Sequence, residues 1–554
     1  MISRGRSAEE PVTRGTIIAE YDCCAMQADM VVRGGVIYTL DATKPRARRL
    51  AVSGGQIVAC DDASLDELIG PRTRVIDLAG KAVVPGFIDA HIHFGSLALA
   101  RRRVDLDPAA TLQQGLAILR AFSQQQSAEA WLRGRGWDRN RWGKLPTAAE
   151  LDSAVGGRRA ALSSHDGHSL WLSSAALRAA GIDRDTRDPP GGLIERDEAG
   201  APTGVLFENA QELLRGHVPQ VGDDDVRDAI RAALPLAASA GLTGIHNLED
   251  SRSSRAFEAL ESAGELTLRV HHGVSRSELR DAREKGLRTG AGGEWLRVGP
   301  VKLFSDGALG SRTAHLLEPY EGRQADGYRG VPTLKPEELE ADMRLAADAE
   351  LDVAVHAIGD AAVRAVLDAY EKTRATYPPM AERMLRIEHA QLVHPDDVPR
   401  FARLGVVASM QPIHATADWR AADAHWGRRA RHAYAWRDLL VAGATLAFGT
   451  DAPVEQLAPL ASLYAATARV DPTGEPKGGW YPEQRLTLEE AVRAYTIGSA
   501  AAERTSTRGS LCPGKDADFV VLAPDPFSRP PEALRETRVE LTVVGGRIVF
   551  EAMP

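Results

Sequence analysis

The sequence predicts an α/β fold: a closed (β/α)8 TIM-type barrel, with a small β-sandwich domain built from both chain ends and an insertion after the first strand. Three observations predict it. Eight short apolar runs recur along the middle of the chain, each ending in polar or glycine residues. Helical patterns separate most of them, and a different pattern, apolar runs split by glycine pairs, marks both ends. Buried parallel strands read as continuous apolar stretches, which a closed barrel requires. An open doubly wound sheet would bring a glycine-rich phosphate loop after its first strand, and none follows here.

The eight runs are Val83–His93, Thr243–Asn247, Leu268–His272, Val298–Phe304, Leu351–His356, Leu385–His389, Val406–Met410 and Thr445–Asp451. Between them, Glu337–Glu350 and Gly359–Ala375 show helical spacing, with Val363, Val366, Leu367 and Tyr370 three and four residues apart. At the N-terminal end, Met30-Val31-Val32, Gly34-Gly35 and Val36-Ile37 form one unit, and Leu50–Val52, Gly54-Gly55 and Ile57-Val58 form a second. Leu541–Val544, Gly545-Gly546 and Ile548–Phe550 repeat it at the C-terminal end, and Phe519–Leu522 adds a strand. Glycine pairs between apolar runs are hairpin signals. Residues 28–84 and 510–554 are therefore expected to build one composite β-sandwich domain, in preference to two separate ones, around a barrel spanning 85–509. Residues 1–27 read as a polar, flexible extension with little to bury. About 150 residues separate the first two runs, too many for a structureless connection. Turns and the helix patterns Leu151–Ala154 and Ser173–Ala180 make this an inserted cap, at about 100–230, over the barrel mouth.

The chain has 554 residues, 44% hydrophobic and 26% charged, ample for a large core and far from a disordered composition. Lys and Arg number 67 against 76 Asp and Glu, so a net charge of −9 gives no electrostatic reason for a nucleic-acid or anionic-membrane partner. No apolar run approaches the ~20 residues of a membrane span. Cys23, Cys24, Cys60 and Cys512 form neither a disulfide framework nor a zinc-type pair. Met1–Asp29 has no apolar core of a signal peptide, so the expected compartment is the cytoplasm.

Chemistry concentrates where the runs end. In Asp89-Ala90-His91-Ile92-His93 the two histidines are two apart and share a face of the strand. Lys302 lies inside Val301–Phe304, where an unpaired ammonium is costly to bury. His356, His389 and Asp451 close later runs. Four histidines, a lysine and an aspartate thus converge on the C-terminal rim of strands one, four, five, six and eight. Imidazole with carboxylate suits zinc or a similar divalent ion.

This ordered set resembles the amidohydrolase superfamily, in which His-x-His on strand one is followed by Lys, His, His and Asp on strands four, five, six and eight. More narrowly it is similar to the amidohydrolase 3 branch, which includes a deformylase of N-substituted formamides. Trp131–Asp138, Asp166-Gly167-His168, Asp188–Gly192, Pro202–Glu208, Lys302–Gly307 and Gly449–Val454 carry the likeness, from residue 28 to the C-terminus. Leu172-Ser173-Ser174 departs from the branch's Asn-Ser pair. The resemblance implies two divalent ions, zinc first among them, held by His91, His93, Lys302, His356, His389 and Asp451, with Lys302 carboxylated as the bridge. The plainer alternative pairs Lys302 with Asp306 or another carboxylate.

The resemblance also implies metal-activated water, with Asp451 as general base, cleaving an amide-type C–N bond of a small molecule such as an N-substituted formamide. Rival readings are hydrolysis of an ester, lactone or phosphotriester, a one-metal deaminase, and a non-catalytic binding barrel. His168 and Glu208 in the cap, Arg312 on a loop past Lys302, and Trp137, with Trp142 and Trp171, are candidate substrate contacts. His246, His271 and His272 read as strand ends that support or pack. The expected assembly is a homodimer.

Overall fold

The computed structural model describes residues 27–553, apart from 62, 128, 165–168, 191, 219–220 and 311. The expected N-terminal extension, Cys23 and Cys24, and His168 lie outside the described residues. Eight parallel strands form the central sheet: β1 (Phe87–Ile92), β2 (Leu242–Asn247), β3 (Arg269–Ser275), β4 (Leu296–Phe304), β5 (Val353–Ala357), β6 (Leu385–His389), β7 (Val407–Met410) and β8 (Thr445–Phe448). They pair in chain order, and β1 lies beside β2. Every residue of β1, β2, β6 and β7 is buried, the charged Asp89, Arg386 and Glu388 included.

The barrel closes just past the ends of β1 and β8. Asp451 N donates to His91 O at 2.7 Å, and His93 N donates to Ala452 O at 2.9 Å. Gly449 permits this approach, because a Cβ there would stand 2.5 Å from His91 N. Asp89 stitches the same seam, accepting from His91 N and from Thr450 N and Oγ1. Burial raises its carboxyl to about 7.

Strands from both chain ends join one eight-stranded sheet, with Phe519–Ala523 antiparallel to Ala82–Pro85 at its middle. The run Val83–His93 is therefore two strands, divided at Gly86, and not one. Both halves are buried on both sides, so composition did not mark the break. The Gly34-Gly35 pair is likewise no turn: Met30–Tyr38 continues through it as one strand with a bulge. Its first half pairs with Arg74–Asp77 and its second with Ala82–Pro85, and Gly34, at φ 82°, allows the change. Gly54-Gly55 and Gly545-Gly546 do connect antiparallel neighbours, as expected.

The insertion carries a six-stranded sheet of its own, from Val104–Asp105 to Pro202–Glu208, and helices including Leu112–Gln124 and Ala148–Val155. Val104, Leu119, Leu151, Leu162, Trp171 and Val205 are among the residues of its separate apolar core. Ser173 caps the short helix Ser174–Ala179 and also accepts from Ala160 N. Among the described residues no helix is long and apolar enough to cross a membrane.

Candidate metal centre

His91 sits near the end of β1, and His93 occupies the position just before the helix Phe94–Ala100, with its side chain making no bond to the helix end. Lys302 is two residues before the end of β4, His356 is in β5 and His389 ends β6. Asp451 lies three residues beyond β8. Both His389 and Asp451 hold left-handed backbone, φ 72° and 58°. That conformation costs a non-glycine residue about 1–3 kcal/mol and is concentrated at functional sites.

The structure brings the set together. His93 Nε2 lies 3.3 Å and His91 Nε2 3.6 Å from Asp451 Oδ1. Lys302 Nζ is 3.5 Å from His91 Nε2. The His91 and His389 rings are 4.8 Å apart, and those of His356 and His389 4.6 Å. Their outward nitrogens are engaged elsewhere. His91 Nδ1 is 2.6 Å from Glu388 Oε2, His389 Nδ1 is 2.8 Å from Gln411 Oε1, and His356 Nε2 is 2.9 Å from Gly307 O. All three partners are acceptors, so each ring donates outward and keeps a lone pair on its inward nitrogen, the form a metal ligand needs. Burial lowers His91 and His389 well below the usual histidine value, and His356 to about 4, so these rings are neutral near pH 7.

The electrostatics leave donors unspent. Asp451 Oδ1 is buried and accepts no hydrogen bond among the described residues. Lys302 is 5% exposed, forms no ion pair among the described residues, and is lowered to about 8 by burial. Asp306, weighed as its partner, instead accepts from the backbone of His315, Ile358 and Gly359. Beneath the rim lies a buried support. Glu388 binds His91 on one side and Arg386 on the other, at 2.8 Å. Arg386 also donates to His246 Nδ1, Ala90 O and Ser409 Oγ. Burial alone would raise Glu388; the Arg386 guanidinium holds it below the usual carboxylate value.

A cavity of about 620 Å³ opens beside the centre, lined by Lys302, Phe304, Leu248, Asp250 and Arg276 among others. Phe304 is 48% exposed there and its ring lies 5.3 Å from that of His356.

The remaining candidates fare differently. Trp137 is 1% exposed, donates to Leu162 O, and packs on Trp142 and Trp171 in the insertion's core. Large indoles in a separate subdomain supply the apolar area that holds it together. Arg312 is exposed and makes no ion pair among the described residues. Glu208 ends the last strand of the insertion.

His271 and His272 lie mid-strand, because β3 continues to Ser275. His246 and His271 form a second histidine group with Glu503. His246 Nδ1 accepts from Arg386, however, so its Nε2 carries the hydrogen and offers no lone pair to a cation.

Glu388, Arg386, Gln411 and His414 were missed. For the first two a signal existed: charged residues two apart inside a buried run must share its inward face. Gln411 and His414 lie past β7, where no ligand was expected.

These features have counterparts in known proteins. The amidohydrolase family profile matches residues 74–550. The chain is 35% identical over 533 residues to the putative amidohydrolase YtcJ of Bacillus subtilis, covering 94% of this chain and 98% of that protein. It is 31% identical to the N-substituted formamide deformylase of Arthrobacter pascens, over 94% of this chain and 98% of that one. An uncharacterized metal-dependent hydrolase from Pyrococcus furiosus superposes with a TM-score of 0.73 at 30% identity, covering 90% of this chain and 99% of that one. The chain belongs to the amidohydrolase family and is a hydrolase.

Proposed function

We propose that the protein cleaves an amide-type C–N bond of a small molecule, an N-substituted formamide being the first candidate. In this reading two divalent ions, zinc the first candidate, are held by His91, His93, His356, His389, Asp451 and a carboxylated Lys302. One observation carries it: the buried His91 and His389 and the largely buried His356 have their outward nitrogens tied to acceptors, which leaves lone pairs on their inward nitrogens around the buried Asp451, whose Oδ1 accepts no hydrogen bond among the described residues. Lys302 supports the carbamate, since burial with no ion pair among the described residues outweighs the pull of Glu388 and Asp451 and shifts it toward the neutral amine that can take up carbon dioxide.

When bound, such ions lower the pKa of water and polarise a carbonyl. Asp451 accepts the proton of the attacking water and delivers it to the nitrogen of the leaving amine, so amide and water become acid and amine. Glu388 and Gln411 hold the imidazoles of His91 and His389 in the ligating tautomer throughout. Phe304 offers an apolar face in the cavity for an N-substituent.

The test is amine release from N-substituted formamides, acetamides and cyclic amides by zinc-loaded protein and by Asp451→Asn, with ions per chain counted on both. Turnover that requires Asp451, with two ions per chain, is expected. Two ions without amine release would refute the amide bond and direct the search to esters, lactones and phosphotriesters; no bound ion would refute the centre.

A further inference from the structure

Five donors at the centre fall into two sets that meet at Asp451. His91, His93 and Asp451 bring donor atoms within 4.8 Å of one another, and so do His389, His414 and Asp451. The aspartate turns one oxygen to each side: Oδ1 faces His91 and His93, while Oδ2 lies 3.7 Å from His414 Nε2. His414 stands in the first turn of the helix Pro412–Trp426, which follows β7 directly. Its side chain is 8% exposed, and its ring stacks parallel to that of His389, 6.1 Å away with 10° between planes.

His414 Nε2 is buried and has no hydrogen-bond partner among the described residues. An orphaned nitrogen in such a place costs about 1–3 kcal/mol unless something takes it up. Its other nitrogen, Nδ1, lies 3.4 Å from the side-chain amide of Gln391, whose Oε1 is also without a partner. A half-turn of that amide exchanges its nitrogen and oxygen and lets Oε1 accept Nδ1–H. Nε2 then presents a lone pair to the space beside Asp451 Oδ2. Gln391 would serve His414 as Gln411 serves His389 and Glu388 serves His91.

We infer that His414 is a further ligand to the proposed centre, binding the ion on the Oδ2 side of Asp451 together with His389. The inference rests on the metal-dependent reading above and adds to its six ligands a donor from the helix after β7. Two imidazoles and a carboxylate oxygen suit a zinc-like ion.

The experiment counts ions per chain and records the visible spectrum of the cobalt-substituted protein for the unaltered sequence, His414→Leu and His414→Glu. Thermal unfolding of the metal-free forms checks that each folds. Expected are two ions in the unaltered protein and one ion lost, or bound about tenfold or more weakly, in His414→Leu. His414→Glu should keep the second ion with a shifted cobalt band, because a carboxylate replaces the imidazole nitrogen. A merely structural histidine would not be rescued in this way with a changed spectrum. Two ions at unaltered affinity and an unchanged cobalt spectrum in His414→Leu would overturn the ligand role and leave the centre standing. No ion in the unaltered protein would overturn both. Should the leucine variant fail to fold, an unchanged cobalt spectrum in His414→Glu overturns the inference by itself.

Discussion

Replacing Glu388 by Gln changes one atom and one charge, and the structure says what each should do. Glu388 is fully buried, with Oε2 on His91 Nδ1 at 2.6 Å and Oε1 on Arg386 Nε at 2.8 Å. A glutamine has one acceptor oxygen for these two donors. If the oxygen stays with Arg386, the amide NH2 meets His91 Nδ1 and moves the ring hydrogen to Nε2. The lone pair facing Asp451 and Lys302 is then lost. If the oxygen stays with His91, the NH2 opposes the guanidinium. The first arrangement keeps the short Arg386 Nε bond and gives up only the 3.3 Å contact from Arg386 Nη2, so metal affinity should carry the larger visible loss. Support residues of this kind change metal affinity about 10–100-fold, or about 1.4–2.7 kcal/mol.

Folding should suffer as well, because Arg386 loses its counter-charge in a site with 0% exposure. Breaking a buried pair by removing one partner costs about 3–5 kcal/mol. The assay is chelator competition for metal affinity and denaturant unfolding of the metal-free protein, on Glu388→Gln and on Glu388→Gln with Arg386→Met. The double variant removes both charges, so it should regain stability while metal binding stays weak. Unaltered metal affinity in Glu388→Gln would refute the tautomer argument, and unaltered stability would refute the buried-pair argument.

Three further outcomes are expected. Lys302→Ala should lose metal and turnover, and acetate or propionate should restore part of both by supplying the missing carboxylate; indifference of metal loading and rate to the substitution would refute the carbamate. Trp137→Ala should cost about 3–5 kcal/mol of stability in the insertion while metal content is unchanged; unaltered unfolding with a raised KM would return Trp137 to the substrate pocket. His271 is lowered from 6.5 to about 3 by burial, so the unfolded chain binds an extra proton between those values and stability falls as the pH drops. His271→Met should therefore gain about 2 kcal/mol on the unaltered protein between pH 7 and pH 5, and a stability difference independent of pH would refute the assignment.

The barrel was legible because its strands are buried on both faces, which erases alternation and leaves apolar runs that end in the polar rim. The same property hid two boundaries. Val83–Ile88 is apolar throughout although Gly86 divides it between two sheets, and Gly34-Gly35 looks like a turn although its strand runs on. A glycine pair records only that the backbone needs freedom. Whether that freedom makes a turn or a bulge is decided by partners distant in the chain, here Arg74–Asp77 and Ala82–Pro85. His91, His93, Lys302, His356, His389 and Asp451 were found because each is costly or pointless in an apolar run unless it meets something.

His414 carried no such mark. It sits in Pro412-Ile413-His414, on a helix whose first turn gives a histidine many ordinary uses. Its position follows from the crossing of β7 and from Asp451, whose left-handed backbone places a carboxylate between two sets of imidazoles. Neither fact is local. Arg386 and Glu388 mark the intermediate case. Two opposite charges at alternate positions of a buried strand must face inward together, so their pairing was available from spacing alone. That the pair also sets the tautomer of His91 needed a third residue, 297 positions away. Local spacing therefore identifies ligand candidates, while the ring nitrogen each presents is chosen by residues that only the closed barrel brings alongside.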